Sequence, residues 1–253
     1  DNNWEEVDTL LIHAEEVKDT NQKLYNALCR SVTILIVAHL EGFIKDLIKN
    51  IVQDINSNCD FSNIPDAFKR TYCKSYLGSN LDNKDKGYEA KINKLIEKFN
   101  GMDCSISHEP FLFPVNKNPN PHIINVIFNN IGIKNVFSYL HESELESIFS
   151  ESVPELVVKS NIIKEEINEM IVTFPYDIGA EKYSLKKKIY SSKTIWEEFL
   201  DDINHKRHSV AHGNEFNNSD DVYELKMRKI KVIILQQLLI FIICHKITSG
   251  ISQ

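Results

Sequence analysis

The stretch from Leu24 to Ile55 contains no proline and one glycine, Gly42, and this run limits the fold more than any other feature. Leu28, Val32, Leu35, Ile36, Leu40, Phe43, Leu47, Ile51 and Val52 recur in it at spacings of three and four. That spacing puts them on one face of a helix with 3.6 residues per turn, roughly nine turns long. A helix of that length must cover its apolar face with other elements. The remaining strong periodicities are also near 3.6, so the expected class is all-α, with more than half of the chain helical and no central sheet.

A weaker stripe of Val7, Leu10, Leu11, Ala14 and Val17 marks a shorter helix before the long one. From about 57 to 120 the pattern loosens. Gly and polar residues cluster at 78–87 and 100–103, and four of the seven prolines lie between Pro110 and Pro121. We read this region as an insertion of short helices and loops. Helices are expected at Lys86–Asn100 and Ile123–Asn130, and a small hairpin around Pro110–Pro114. Beyond it, Asn161–Ile171 carries Ile162, Ile163, Ile167, Met170 and Ile171 on one side, and Phe174-Pro175-Tyr176 ends it. Lys186-Lys187-Lys188 reads as a solvated surface run.

Two strong helices close the pattern. The first opens on Thr194-Ile195-Trp196-Glu197, a capping box in which the Thr hydroxyl and the Glu carboxylate each satisfy a free amide. Ile195, Trp196, Phe199, Leu200 and Ile203 form its expected buried face, and Gly213 should end it near His212, because glycine tolerates the left-handed closing conformation. The second opens near Ser219-Asp220-Asp221 and runs to about Thr248. It is apolar nearly all round in its second half and should sit mid-bundle. The domain expected is a single one, 1–253, with its core in about 1–56 and 120–250.

Acidic residues outnumber basic ones by 36 to 29, for a net charge of −7. Coating of nucleic acid is thereby excluded, since phosphate neutralisation drives it. The five cysteines are odd in number, scattered and without a C-x-x-C pair, which argues for a reducing compartment and against a disulfide framework or zinc knuckle. Asp1-Asn2-Asn3-Trp4-Glu5-Glu6 does not resemble a signal peptide. The most apolar stretch, Val232–Cys244, is interrupted by Gln236-Gln237 and is short of the roughly 20 residues that cross a bilayer, so a buried core helix is expected there. The expected setting is cytoplasmic, with no membrane.

One segment stands apart: Asn204-His205-Lys206-Arg207-His208-Ser209-Val210-Ala211-His212-Gly213. Helical steps from Phe199 and Ile203 lead to Arg207, so a guanidinium occupies a position where a core residue is expected. Its desolvation is costly unless it is paired or lines a cleft. His212 lies five residues on, roughly 140° away around a regular helix. The two side chains converge if the helix ends at His212, or if they meet across two chains.

The Arg207-x-x-x-x-His212 string, before a His-Gly ending, resembles the Arg, four to six residues, His motif of the HEPN superfamily. The segment from Leu28 through Glu41 to Leu47, with Phe43 after the glutamate, is similar to the opening helix of the bacterial RiboL-PSP-HEPN and related families. The resemblance covers roughly 1–56 and 120–250. It departs in one place: His208 follows the arginine where many members carry Asn or Asp. The resemblance implies an up-and-down bundle of four or five helices that dimerises and cleaves RNA without a metal or other cofactor, often as a toxin or anti-phage effector held by an antitoxin or defence-system partner. The sequence also has no H-E-x-x-H, no Cys/His ligand spacing and no Gly-rich phosphate loop.

RNA carries its own nucleophile, the 2′-OH. Histidine titrates near neutrality and can move protons, and arginine stays charged and offers a fork to phosphate oxygens. Arg207 and His212 are therefore the candidate catalytic pair. His205 and Lys206 are candidate RNA contacts, and with Arg207 and His208 they would form a basic cleft. His208, Glu41 and His39 are candidate supporting residues: Glu41 either orients Arg207 or a histidine, or is solvated on the far face. Asn204 and Tyr223 are weaker, structural by default. Two other readings stay open, a non-catalytic HEPN module that binds RNA, a nucleotide or a partner protein, and a structural helical dimer with Arg207 in a buried pair with Glu41.

Overall fold

The structure is a computed structural model, and it describes residues 4–78, 87–102, 104–112, 118–177, 182–213 and 220–251. Among these there are nine α-helices and no strand. They are α1 (Glu5–Val17), α2 (Gln22–Asn58), α3 (Asp66–Ser75), α4 (Tyr88–Asn100), α5 (Pro121–Asn130), α6 (Phe137–Leu140), α7 (Val153–Met170), α8 (Ile195–Ala211) and α9 (Val222–Ile251).

The long proline-free run becomes a single helix of 37 residues, capped by the Asn21 side chain, which accepts from the Leu24 amide. It buries Val32, Ile36, Leu40, Ile44, Ile48, Val52 and Ile55, while Leu28, Leu35 and Phe43 are only half-buried on its flank. α9 has 30 residues and buries almost everything from Val232 to Cys244. It packs against α1, α2 and α7.

Cross-helix bonds fix the directions. On α9, Gln236 donates to the carbonyl of His39 and Gln237 to that of Ser160, while Thr248 reaches Tyr176. So α2, α7 and α9 run the same way. Lys229 pairs with Asp8 and Lys226 with Glu15, which makes α1 antiparallel to α9. Arg228 pairs with Asp202 and Lys206 with Asp220, so α8 is antiparallel too. This is the all-helical bundle read from the sequence, with α2 and α9 at its centre; direction alternates from α1 to α2 and from α7 through α8 to α9, while α7, reached across the insertion, runs parallel to α2.

The insertion carries α3 and α4, packed on each other around Phe61, Tyr72, Tyr76 and Phe99. Asn56 pins it to the end of α2 by bonding both the amide and the carbonyl of Ile106. One buried apolar cluster runs from Val7 to Ile247 and takes in the insertion's Phe68, Phe111 and Ile106. Near Pro110 the chain forms a short 3-10 turn, Glu109–Phe111. The rest of the hairpin expected there falls on 113–117, outside the described residues. α7 begins eight residues earlier than the periodicity suggests. Ser152 and Glu155 form a capping box, and Pro154 sits in the first turn, where no amide bond is lost.

The Val232–Cys244 stretch is a mostly buried core segment, as expected, but it lies within a longer helix: by length and composition alone, Gln22–Asn58 and Val222–Gly250 are long and apolar enough to cross a membrane. The apolar window of the second is 72% buried inside the fold and that of the first 39%. The extra length of α9 comes from turns on both sides of the Val232–Cys244 core.

Candidate functional site

The site is built on α8, whose two ends are set by local sequence. At its start, the Thr194 hydroxyl accepts from the Glu197 amide at 3.2 Å, and the Glu197 carboxylate accepts from the Thr194 amide at 2.8 Å. At its end, His212 donates its amide to the His208 carbonyl at 3.0 Å, and Gly213 takes a φ of +70°. Trp196, Leu200 and Ile203 are the buried face. Ile195 was expected there and is 38% exposed instead, because it stands one step, about 100°, round from Trp196. Phe199 is half-buried, edge-on to Phe149.

No residue from Asn204 to Gly213 is fully buried. Arg207 is half-buried and so keeps part of its hydration, rather than taking the core position reached by extrapolating from Ile203. Among the described residues it has no hydrogen bond and no ion pair. The contrast with the other three arginines is informative: Arg70 pairs with Glu89, Arg228 pairs with Asp202 and lies 3.0 Å from Asp220, and Arg30 is also engaged. Within one chain no ion pair joins Arg207 to Glu41, the pairing of the alternative structural reading; Glu41 accepts from Lys45 at 2.6 Å. Thr33 and Ile36, which line a small pocket with Lys206 of α8, lie roughly 12 and 7.5 Å before Glu41 along α2.

His212 is exposed, and its ring lies against that of His208, with centroids 4.2 Å apart. His205, three residues before His208, shares that open face. The φ of −93° and ψ of 4° at His212 lie outside the α-helical region, but its ring still lies against His208 one turn earlier, the neighbour a helical position would give it. On that placement the roughly 140° of a regular helix separates Arg207 from His212 within one chain.

Lys206 is half-buried. It pairs with Asp220, which is 2% exposed and also faces Arg228. The Asp220 carboxylate thus ties the last turns of α8 to the start of α9. Burial and the neighbouring Asp220 push the Glu224 carboxyl above its ordinary value. Asn204 has a structural role, donating to the Leu200 carbonyl at 2.8 Å and to the Pro119 carbonyl at 3.3 Å, so it joins α8 to the end of the insertion. Asp220 and Arg228 are the positioning residues that sequence reasoning missed. The signal was present in Ser219-Asp220-Asp221, read only as a helix cap. Asp221 does that work by accepting from the Glu224 amide, while Ser219 is outside the described residues.

His39 is not part of this constellation. It stands against Trp4 in a cleft between α1, α2, α7 and α9, and burial lowers its pKa. Tyr223 is exposed. In the lysine run, Lys188 donates to the Glu142 carbonyl at 2.5 Å. Among the described residues no group of three His, Cys, Asp or Glu side chains is arranged to hold a metal ion.

Comparison with known proteins gives one finding: the family model described as RiboL-PSP-HEPN matches residues 1–240. No curated protein and no solved structure matches.

Proposed function

The chain belongs to the RiboL-PSP-HEPN family, a HEPN superfamily family associated with RNase function, and from that premise we propose that it is a metal-independent endoribonuclease using Arg207 and His212. The observation that carries this reading is selective availability. At the end of α8 the neighbouring cations Lys206 and Arg228 are committed to carboxylates, whereas Arg207 has no partner among the described residues. A guanidinium kept partly desolvated and unpaired is ready for a phosphate.

The chemistry needs four events. The 2′-oxygen bonds to the adjacent phosphorus, its proton leaves to a base, the bond from phosphorus to the 5′-oxygen breaks, and that oxygen gains a proton. Arg207 stabilises the charge gathering on the non-bridging oxygens. His212 moves a proton, with the His208 ring beside it. The products are a 2′,3′-cyclic phosphate and a 5′-OH. One chain offers one His212, diverging from its Arg207. A homodimer with a two-fold axis near the ends of both α8 helices sets the His212 and His208 rings of one copy against the Arg207 of the other, twice around one shared cleft. Val210, half-buried, and Ala211, exposed, are apolar surface that a second copy would cover. The setting we propose is cytoplasmic, as a toxin or anti-phage effector restrained by an antitoxin or defence-system protein.

The divergence of Arg207 and His212 also favours a second reading, a non-catalytic module that holds RNA, a nucleotide or a protein partner through Arg207. Incubation of the purified chain with RNA in EDTA, followed by analysis of the ends, separates the two. The proposal expects cyclic-phosphate and 5′-OH ends, with DNA untouched. Arg207→Ala and His212→Ala should each lower the rate by about 10²–10⁴ while preserving the helical circular dichroism. RNA that is bound and never cut by the wild type selects the module. Cleavage surviving both substitutions rejects the site.

A further inference from the structure

His208 stands in the last turn of α8 and His212 is the residue that caps it. Four residues apart, they leave the same side of the helix one turn from each other. Both are exposed, and their rings are tilted with centroids 4.2 Å apart. Among the described residues neither ring has a hydrogen bond or an ion pair, so no protein partner must be displaced before a ligand binds. His205 shares the open face, but its ring touches neither of the other two among the described residues.

Neutral imidazole is a common ligand for transition metals. A ring nitrogen bonds such an ion at about 2.0–2.1 Å, and two rings already side by side converge on one ion by turning their side chains alone. Once the first nitrogen is bound the second binds within the same molecule, which raises affinity by about 10² or more over a lone imidazole. The helix end adds to this, because its last carbonyls lack helical partners and carry partial negative charge, which favours a cation. Of the neighbouring cations, Lys206 is neutralised by Asp220. A second copy's Arg207 across the proposed cleft is a like charge; at this exposed surface solvent screens it, so it lowers the affinity without preventing chelation. No third His, Cys, Asp or Glu joins the pair among the described residues, so water fills the other coordination positions.

We propose that His208 and His212 chelate a divalent transition-metal ion, and that the ion, by occupying the His212 ring, shuts off RNA cleavage. The control of cleavage rests on the ribonuclease reading above; the chelate does not. The test is calorimetric titration of the untagged full-length chain with Ni²⁺, an ion suited to imidazole, beside the RNA-end assay with Ni²⁺ in place of EDTA. The wild type should show one site per chain. Affinity should fall about 10² in His208→Ala and in His212→Ala and be kept in His205→Ala. Both ligands are exposed, so these substitutions leave the core untouched. Wild-type cleavage should fall over the same Ni²⁺ range and return when EDTA is added. Wild-type binding no tighter than that of the His208 and His212 variants overturns the chelate. So does a site lost in His205→Ala and kept in His212→Ala. Cleavage undiminished at saturating Ni²⁺ overturns the control. A chain that binds Ni²⁺ through the pair and never cuts RNA rejects the ribonuclease reading, and the control with it, and upholds the chelate.

Discussion

Replacing Asp220 with Asn tests whether the end of α8 is latched by charge. Asp220 is 2% exposed, and the two cations that face it, Lys206 and Arg228, keep side-chain exposures of 23% and 18%. Asparagine keeps the shape and removes the charge. Breaking a fully buried ion pair from one side costs about 3–5 kcal/mol, since the partner charge is left uncompensated. Here both cations retain some water, and Arg228 keeps Asp202, so the expected loss is about 2–4 kcal/mol. For a chain of this size each kcal/mol moves the melting temperature by about 2–4 °C, giving a fall on the order of 4–16 °C. Thermal melts followed by circular dichroism read this directly. Adding Lys206→Met to Asp220→Asn should then cost little more, because the pair has already been broken. A melting temperature within about 2 °C of the wild type for Asp220→Asn would refute the latch. The ion pair would then be surface-like, and the position of Arg207 would need another explanation.

Two glycines with positive φ should respond differently to alanine. Gly213 has φ +70° and nothing near its would-be Cβ, so Gly213→Ala should cost only the left-handed strain, about 1–2 kcal/mol. At Gly132, with φ +90°, a Cβ would stand 2.7 Å from that of Ala67 in α3, and the added clash should raise the loss to about 3 kcal/mol or more; equal urea midpoints for the two variants would contradict this. Acid should also weaken the fold through His39. Burial lowers its folded pKa below 6.5, against a smaller opposing pull from Glu6, so the unfolded chain binds the proton more readily. The contribution is complete above pH 6.5 and is lost as the pH falls from there toward the depressed folded value. His39→Phe should show a shallower fall in melting temperature between about pH 7 and 5 than the wild type, and an unchanged slope would exclude His39 as the source.

The helices that were legible in the sequence are those whose ends and faces are set locally. α8 is the clearest case, because Thr194, Glu197 and Gly213 each act within four residues of the backbone they satisfy. α3 was missed because Asp66–Ser75 is short and polar on average, and its burial rests on Phe68, Tyr72 and Cys73, whose partners are distant in the chain. Pro154 hid the start of α7, since a proline reads as a breaker unless the cap before it is recognised. At the site, Lys206 was expected to meet RNA and instead meets Asp220, fourteen residues on, across a connection no local pattern describes. His39 was grouped with Arg207 as a polar residue on an apolar helix. Its surroundings come from four helices and could not be read from one.

The divergence of Arg207 and His212 around α8 leads to a last prediction, about which chains share a centre. Within a chain the side chains leave the helix roughly 140° apart. A phosphate held by one Arg207 is then served by the His212 of a second chain. In that arrangement a dimer of one Arg207→Ala chain and one His212→Ala chain still contains an intact arginine from one copy and an intact histidine from the other. Two inactive proteins, co-expressed or refolded together, should recover activity. With random pairing half of the dimers are mixed, and each keeps one of two composite sets, so recovery should approach about a quarter of the wild-type rate. If the pair works within one chain, every mixed dimer lacks a complete set, and activity stays at the level of the separate variants. Recovery should also depend on subunit exchange, appearing after joint refolding and not after brief mixing of two stable dimers. Activity no higher in the refolded mixture than in the single variants would show that the centre is not shared, and the two-fold cleft would have to be abandoned even if the chain cuts RNA.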